Sequence, residues 1–318
     1  MPEISQFTTS VFILLTVVLI KTILSRLVDH EPLQFFRFFC ERLADKVNKP
    51  NNSSKQQVIA GVIAVLVTLL PLIIILWLFE NFIEVPFLWH LMLMYLALGS
   101  FGLTQKSTSI AQALIANNNY QAKQILSPLV LRDTDKLSNL GLSKACIEMQ
   151  LLNKLQQGFV VSCYFLIAGP LAALTFRLLL EMHYSWNTKL PHFEFFGRHL
   201  NKIISLLQWL PVRLFVFILL LATIGQNFIL FWHLLKKQFF RLNNNIVIFC
   251  LALALEKQLG GVAMYKGTKL RRKNFNEQAR QPEAVDIIHA LKRTDQTLYF
   301  ALLFLAFTAI ISVFITIK

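Results

Sequence analysis

Apolar residues in this chain fall in long runs rather than in short alternations. Six stretches stand out, at 7–24, 58–79, 86–103, 159–176, 211–235 and 299–317. Each has roughly the 20 residues that a helix needs to cross a hydrocarbon core about 30 Å thick, and none shows the period-two pattern of a half-buried strand. The run 58–79 is the cleanest, 22 residues without a charge, with Pro71 as a kink that membranes tolerate. The run 7–24 lacks a basic leader and a small-residue cleavage site, so it reads as a retained span. A further run, 246–255, is too short to span and reads as a buried or interfacial helix.

Between the runs the period is helical as well. Over 33–47, Phe35, Phe36, Phe39, Leu43 and Val47 share one face, with Arg37, Arg42 and Lys46 near the polar side, the pattern of an interfacial helix. Residues 51–54 read as a plain linker. Helices are expected over 107–119 and 121–126, broken at Asn117–Asn119, and Asp133 or Thr134 is expected to cap a helix running through Glu148 to Leu155. No repeat or low-complexity tract is visible. The pattern predicts an all-α, polytopic integral membrane protein: about six apolar helices plus cytoplasmic or interfacial helices, in a single domain over 1–318.

Composition agrees. Hydrophobic residues make up 55% of the chain and charged residues 15%, with a mean hydropathy of +0.56. A soluble surface normally needs about 25% charged residues, so the deficit implies a second, apolar solvent. Gly (11) and Pro (10) are sparse, which argues against a turn-rich membrane β-barrel.

Charge then sets orientation. The segments 25–57, 104–157 and 236–298 carry 24 of the 31 Lys and Arg, while the 80–85 turn carries none. Six alternating spans therefore place both termini outside and the three basic segments in the cytoplasm, facing anionic lipid. The segment 177–210, with Arg177, Lys189, Arg198 and Lys202, fits that scheme poorly. The net charge of +14 does not imply nucleic acid, because no soluble basic domain with interleaved aromatics is separable.

Familiar catalytic patterns are absent. There is no phosphate-binding glycine loop, no dinucleotide fingerprint and no H-E-x-x-H. His183, His192 and His199 are spaced too widely for a ligand pair on one helical turn. Cys40, Cys146, Cys163 and Cys250 form no C-x-x-C pair and imply neither a disulfide framework nor zinc. At membrane depth polar residues are few: His90, Gln226 and Asn227 lie in the third and fifth runs, where helix-to-helix hydrogen bonding explains them as well as function does.

The middle of the chain carries Arg132-Asp133-Thr134-Asp135-Lys136-Leu137, then Lys144-Ala-Cys-Ile-Glu148, then Ala168-Gly-Pro-Leu-Ala-Ala-Leu-Thr-Phe-Arg177. With these elements it resembles the CobD/CbiB family of membrane proteins. Phe196-Gly197, Gln208-Trp209-Leu210-Pro211-Val212-Arg213-Leu214 and Leu259-Gly260-Gly261 with Tyr265 and Gly267 follow in register, and His30-Glu31-Pro32 resembles the family's N-terminal element. The best-known branch implied is an adenosylcobinamide-phosphate synthase, a ligase-type enzyme that uses ATP and magnesium to join an aminopropanol to a corrin side chain. A second branch, AmpE, shares the scaffold and is associated with β-lactamase induction.

This chain departs from the synthase pattern at its acids. The element resembling E-N-x-x-D reads Leu152-Asn153-Lys154-Leu155-Gln156. The one resembling N-T-L-D-S-M reads Leu180-Glu181-Met182-His183-Tyr184-Ser185. The one resembling A-R-L-D-D reads Asn201-Lys202-Ile203-Ile204-Ser205. Isoleucine cannot replace a carboxylate as a magnesium ligand or as a base. The residues therefore lean away from an enzyme, toward an AmpE-like regulator or sensor without metal or other cofactor. The alternative is the cobalamin biosynthesis enzyme, which would bring ATP and magnesium. Arg132, Asp133, Glu148, Asn153, Arg177, Lys202 and Arg213 are the candidates for an anion pocket, since guanidinium forks suit phosphate. A small phosphate-bearing or cell-wall ligand is the expected partner besides lipid, and the basic run 266–280 is expected to touch anionic lipid.

Overall fold

A backbone surrounded by lipid must satisfy its N–H and C=O groups internally, which is why the apolar runs are helices. The computed structural model describes residues 6–25, 32–99, 102–222, 232, 239–241 and 244–317. Its helices are α1 (Gln6–Leu24), α2 (Gln34–Val47), α3 (Ser54–Glu80), α4 (Pro86–Ala97), α5 (Leu103–Ile115), α6 (Asn119–Leu126), α7 (Asn139–Asn153), α8 (Val161–Ser185), α9 (Arg198–Leu207), α10 (Trp209–Ala222), α11 (Asn245–Ala254) and α12 (Ala284–Ile317). A π-helical segment, Lys154–Val160, joins α7 to α8.

Among the described residues, four helical stretches are long and apolar enough to cross a membrane: Gln6–Leu24, Ser54–Glu80, Asn139–Ser185 and Ala284–Phe314. The pair α9 and α10, bent by 46°, makes a fifth if taken as one span. The protein is thus an all-α membrane protein, but one of the six expected spans is not a span. The run 86–103 forms a helix only over Pro86–Ala97, about 18 Å long at 1.5 Å per residue. Polar partners end it: Leu98 turns extended, the Lys21 ammonium takes the Leu98 and Gly99 carbonyls, and Gly99 N–H donates to the Gln157 carbonyl at 3.0 Å. The second half of the expected 211–235 span lies almost wholly outside the described residues, as do Gln226, Asn227, His30 and Glu31.

Other helix ends are also set by polar chemistry. The expected linker at 51–54 ends in a capping box: Gln56 N–H donates to Ser53 Oγ, and Ser53 N–H donates to Gln56 Oε1 at 2.8 Å. Pro71 sits inside α3, which runs on past it. The 159–176 run breaks at Gly169, whose φ of 83° only glycine adopts readily, just before Pro170. The cap of α7 is Ser138, which accepts from Gly141 N–H; Asp133 and Thr134, the expected caps, lie upstream of it.

The chain divides into two compact units. One comprises 1–101, 156–208 and 302–318. In it α4 and α1 pack on each other and on α8, α2 and α3 also lie on α8, and α3 meets α9. Val11, Leu14, Val17, Leu93, Met94 and Phe165 are buried there. Trp186 donates to the Cys40 carbonyl at 3.0 Å and meets Phe196 edge-on. Helix α2 does not lie as its pattern suggested. Cys40 and Ala44 are its buried residues, Phe35 is 81% exposed, and Arg37 turns inward to an acid on α8. An ion-pair partner outweighed the phenylalanine face, which is left outward with apolar side chains of α1, α3 and α12.

The second unit comprises 102–155 and 209–301. Helix α5 packs on α6 and α7, and the buried α11 packs on α10. Two small antiparallel pairs follow α11. Strand β1 (Leu259–Gly260) pairs with β4 (Asn274–Phe275), and β2 (Ala263–Tyr265) pairs with β3 (Thr268–Leu270). These strands were not expected from the helical period.

A β-carbon on Gly197 would stand 2.0 Å from the Trp186 carbonyl oxygen, whereas one on Gly158 meets nothing within 4 Å. Gly197→Ala is therefore expected to destabilise the purified protein by about 2–3 kcal/mol, read as a lower thermal midpoint in detergent. Gly158→Ala should leave that midpoint unchanged.

Candidate functional site

In the second unit the polar chemistry gathers around Glu148, on the buried face of α7. Its Oε2 accepts from Arg132 Nη2 at 3.0 Å and from Arg272 Nη1 at 2.8 Å. Its Oε1 accepts from Gly260 N–H at 3.0 Å and from Arg272 Nη2 at 3.3 Å. Arg272 Nε donates to the Gly261 carbonyl at 3.1 Å, which fixes the guanidinium against β1. The Glu148 side chain is 3% exposed. Burial would pull the Arg272 guanidinium down, but the charge and hydrogen bonds of Glu148 outweigh it and hold Arg272 above its ordinary value.

Asp133 locks the same region. Lys266 (φ 43°) and Gly267 (φ 79°) form the turn between β2 and β3, and this backbone presents two successive N–H groups to one point. Both donate to Asp133, to Oδ1 at 3.0 Å and to Oδ2 at 2.8 Å, while Asp133 N–H donates to the Met264 carbonyl at 2.9 Å. The Arg132-Asp133 pair thus pins the loop before α7 to the hairpin on one side and to Glu148 on the other. The exposed residues Lys266, Lys269, Arg271 and Lys273 crowd the hairpin around this point.

The first unit has a second cluster on α8. Glu181 Oε1 faces Arg177 Nη2 at 2.7 Å, and Glu181 Oε2 accepts from Arg37 Nη2 at 2.8 Å and Nε at 2.9 Å. Nearby, Tyr184 donates to Gln156 Oε1 at 2.7 Å, and Gln156 Nε2 donates to Gln208 Oε1 at 3.1 Å. The π-helical turn lets both Gln156 and Gln157 be buried; such turns recur at functional sites. Of the positions where the resemblance implies acids, Gln156 belongs to this network as an amide, and His183 is the residue before Tyr184.

Of the seven expected pocket residues, the structure brings Arg132, Asp133 and Glu148 together. Arg177 belongs to the cluster of the first unit, and Lys202 is exposed on α9. Asn153 is half-buried at the end of α7. Arg213 is spent on backbone: its nitrogens donate to the carbonyls of Phe239 (2.8 Å), Trp209 (3.2 Å) and Arg241. Sequence reasoning missed Arg272, taken as one lipid-facing cation of a run, and Arg37 and Glu181. The L-G-G element close to Arg272 was the available signal, since it supplies both a backbone donor to Glu148 and an acceptor to Arg272.

Donor chemistry decides what these clusters accept. Magnesium requires near-octahedral oxygen and keeps several waters. Here Glu148 and Glu181 each face two guanidiniums, and Asp133 is taken by two backbone N–H groups. Among the described residues no group of three His, Cys, Asp or Glu side chains is placed to hold a metal ion. The donor sets therefore do not fit a magnesium ion. The cysteines are unpaired, and burial, with the charges of Glu181 and Glu41, pushes the Cys40 thiol up to about 12, far from a reactive thiolate.

The sequence profile of the family described as CobD/Cbib protein matches residues 14–294. A cobalamin biosynthesis protein CobD of Stutzerimonas stutzeri is 29% identical over 252 residues, 79% of this chain and 83% of the relative. One of Chromobacterium violaceum is 27% identical over 207 residues, 65% of this chain and 66% of the relative. A probable cobalamin biosynthesis protein CobD of Pyrococcus furiosus is 26% identical over 214 residues, 67% and 69% of the two chains. No solved structure matches.

Glu148→Gln leaves Arg132 and Arg272 without their counter-charge, and an expected loss of about 3–5 kcal/mol should appear as a lower unfolding midpoint in detergent. Adding Arg132→Gln to it should return part of that loss. Strictly additive losses would contradict the pairing.

Proposed function

This chain belongs to the CobD/CbiB family, and from that premise we propose that it serves cobalamin biosynthesis as a protein of the bacterial inner membrane, holding an anionic group of a corrinoid-pathway intermediate. The observation that carries this reading is the family match over 14–294, together with relatives that bear the cobalamin biosynthesis name. Two features of the site support it. Arg132, Asp133, Glu148 and the L-G-G and Y-x-G elements, all residues that carry the family resemblance, form one hydrogen-bonded assembly. That assembly is rich in cations, with Lys266, Lys269, Arg271 and Lys273 around a nearly neutralised core, and such a surface concentrates anionic ligands.

The reaction of the synthase branch, amide formation driven by ATP, is not assigned to these residues. It needs magnesium-bound nucleotide, and the donor sets do not fit that ion. The work left to this chain's own side chains is to bind and orient: the exposed Lys266, Lys269, Arg271 and Lys273 attract an anion, while Glu148 and Asp133 clamp the hairpin that carries them. Regulation of the AmpE kind draws support from the replaced acids at Leu152, Gln156, His183, Ile204 and Ser205, and from none of the relatives' names.

Expression in a strain lacking its own family member should restore corrinoid-dependent growth and corrinoid content measured in extracts. Failure to restore either, with deletion in the native host altering β-lactamase induction, would replace the cobalamin reading by the regulatory one.

A further inference from the structure

Helix α8 does not run straight. Its two arms meet at Gly169 (φ 83°, ψ −178°), and Pro170 has no N–H to continue the helical ladder. Tyr164 on the first arm stacks on Phe176 of the second, with ring centroids 5.0 Å apart. The Tyr184 hydroxyl donates to Gln156 Oε1 at 2.7 Å, although the two residues are 28 positions apart. A straight helix would hold that pair about 42 Å from each other at 1.5 Å per residue. The arms therefore lie side by side and antiparallel, with Gly169 at the tip. Counted from Gln156, the arms 156–168 and 170–184 are about 20 and 22 Å long, short of a hydrocarbon core about 30 Å thick.

Both ends of this hairpin belong to one face of the first unit, that of the basic segment 25–57 linking the spans α1 and α3. At the entry, Gly99 N–H donates to the Gln157 carbonyl, and the Gly99 carbonyl accepts from Lys21 at the end of α1. At the exit, Trp186 Nε1 donates to the Cys40 carbonyl, and Asn48 Nδ2 donates to the His192 carbonyl at 2.8 Å. The tip is apolar. Ile167 is 78% exposed, Ala168 is exposed, Gly169, Pro170 and Leu171 are half-buried, and 158–176 holds no charged residue. Such a tip is unfavourable in water and suits acyl chains.

We propose that α8 is a re-entrant hairpin: its tip, 167–171, rests in lipid acyl chains without reaching the far side, and the chain leaves by the face through which it entered. Glu181 and Tyr184, near the base of the returning arm, are then approached from the face of segment 25–57. Arg177, Lys189, Arg198 and Lys202, which fit alternating spans poorly, return to the basic side of the membrane. In the second unit, taken by itself, Arg213 donates to the carbonyls of Phe239 and Arg241, so the chain is back at the depth of Arg213 by residue 239. The basic segment 236–298 therefore need not change sides. The proposal goes beyond the cobalamin reading and does not rest on it, because the side on which a residue lies is read without any activity.

Single added cysteines in the full chain, treated with a membrane-impermeant maleimide in right-side-out and inverted membrane vesicles, test this. Cys40, Cys146 and Cys250 are buried, and the unsubstituted protein gives the background. Lys55→Cys, at the start of α3, and Glu84→Cys, in the turn after it, mark the two faces; both positions are exposed. Lys202→Cys, exposed on α9, should label from the side that labels Lys55→Cys and not from the side that labels Glu84→Cys. Ile167→Cys should resist the reagent from both sides and label once detergent is added. Should Lys202→Cys not accumulate, Glu194→Cys, also exposed beyond the hairpin, takes its place. Labelling of either from the Glu84→Cys side overturns the proposal, and so does labelling of Ile167→Cys from any side before detergent.

Discussion

A glutamate taken out of water must find enough positive charge and enough hydrogen-bond donors to replace its hydration, or it will not remain ionised. Both units of this protein meet that demand in the same way, by setting one buried glutamate between two arginines. Glu148 lies between Arg132 and Arg272, and Glu181 between Arg37 and Arg177. Two of the four pairs join positions far apart in the chain, 124 for Glu148 and Arg272 and 144 for Arg37 and Glu181. Each pair therefore ties distant segments together in a way that no run of apolar residues specifies, because one aliphatic contact replaces another while a guanidinium fork has few acceptable positions.

The two clusters differ in how completely they are satisfied. Around Glu148 the account closes: both carboxylate oxygens, the Arg272 fork and the Gly260 N–H are matched, and Asp133 is matched by the hairpin turn. Around Glu181 it does not, since Arg177 Nε and Nη1 and Glu181 Oε1 keep no hydrogen-bond partner. A closed cluster rigidifies and positions. The family's scaffold elements are retained in both units, whereas the positions at which the resemblance implies acids hold Leu152, Gln156, His183, Ile204 and Ser205. In both clusters each buried glutamate is faced by two arginines.

Legibility followed the range of the physics involved. The spans α1 and α3, the short α11 and the break between α5 and α6 were readable because hydrophobic periodicity and turn residues act over a few positions. The 86–103 run misled because its composition is apolar to the end, while its helix stops where Lys21 and Gln157 supply partners for Leu98 and Gly99. Likewise Asp133 carries the local signature of a cap, yet the nest at Lys266 and Gly267 offers its carboxylate two N–H groups, and Ser138 caps α7 instead. Arg37 sits on the polar side of an amphipathic helix by pattern and inside the unit in fact.

By itself, then, the sequence determined that this is a helical membrane protein of the CobD/CbiB type, and it singled out Arg132, Asp133 and Glu148, which the fold brings together. Solvent preference and local turn geometry are properties of a segment, and a segment carries them wherever it lies. Only the tertiary structure decided which cations meet which carboxylates, that Arg213 is spent on backbone carbonyls, and that Arg272, Arg37 and Glu181 belong to the polar clusters. Charge pairing is a property of positions in space, and residues separated by more than a hundred places acquire it only when the chain has folded.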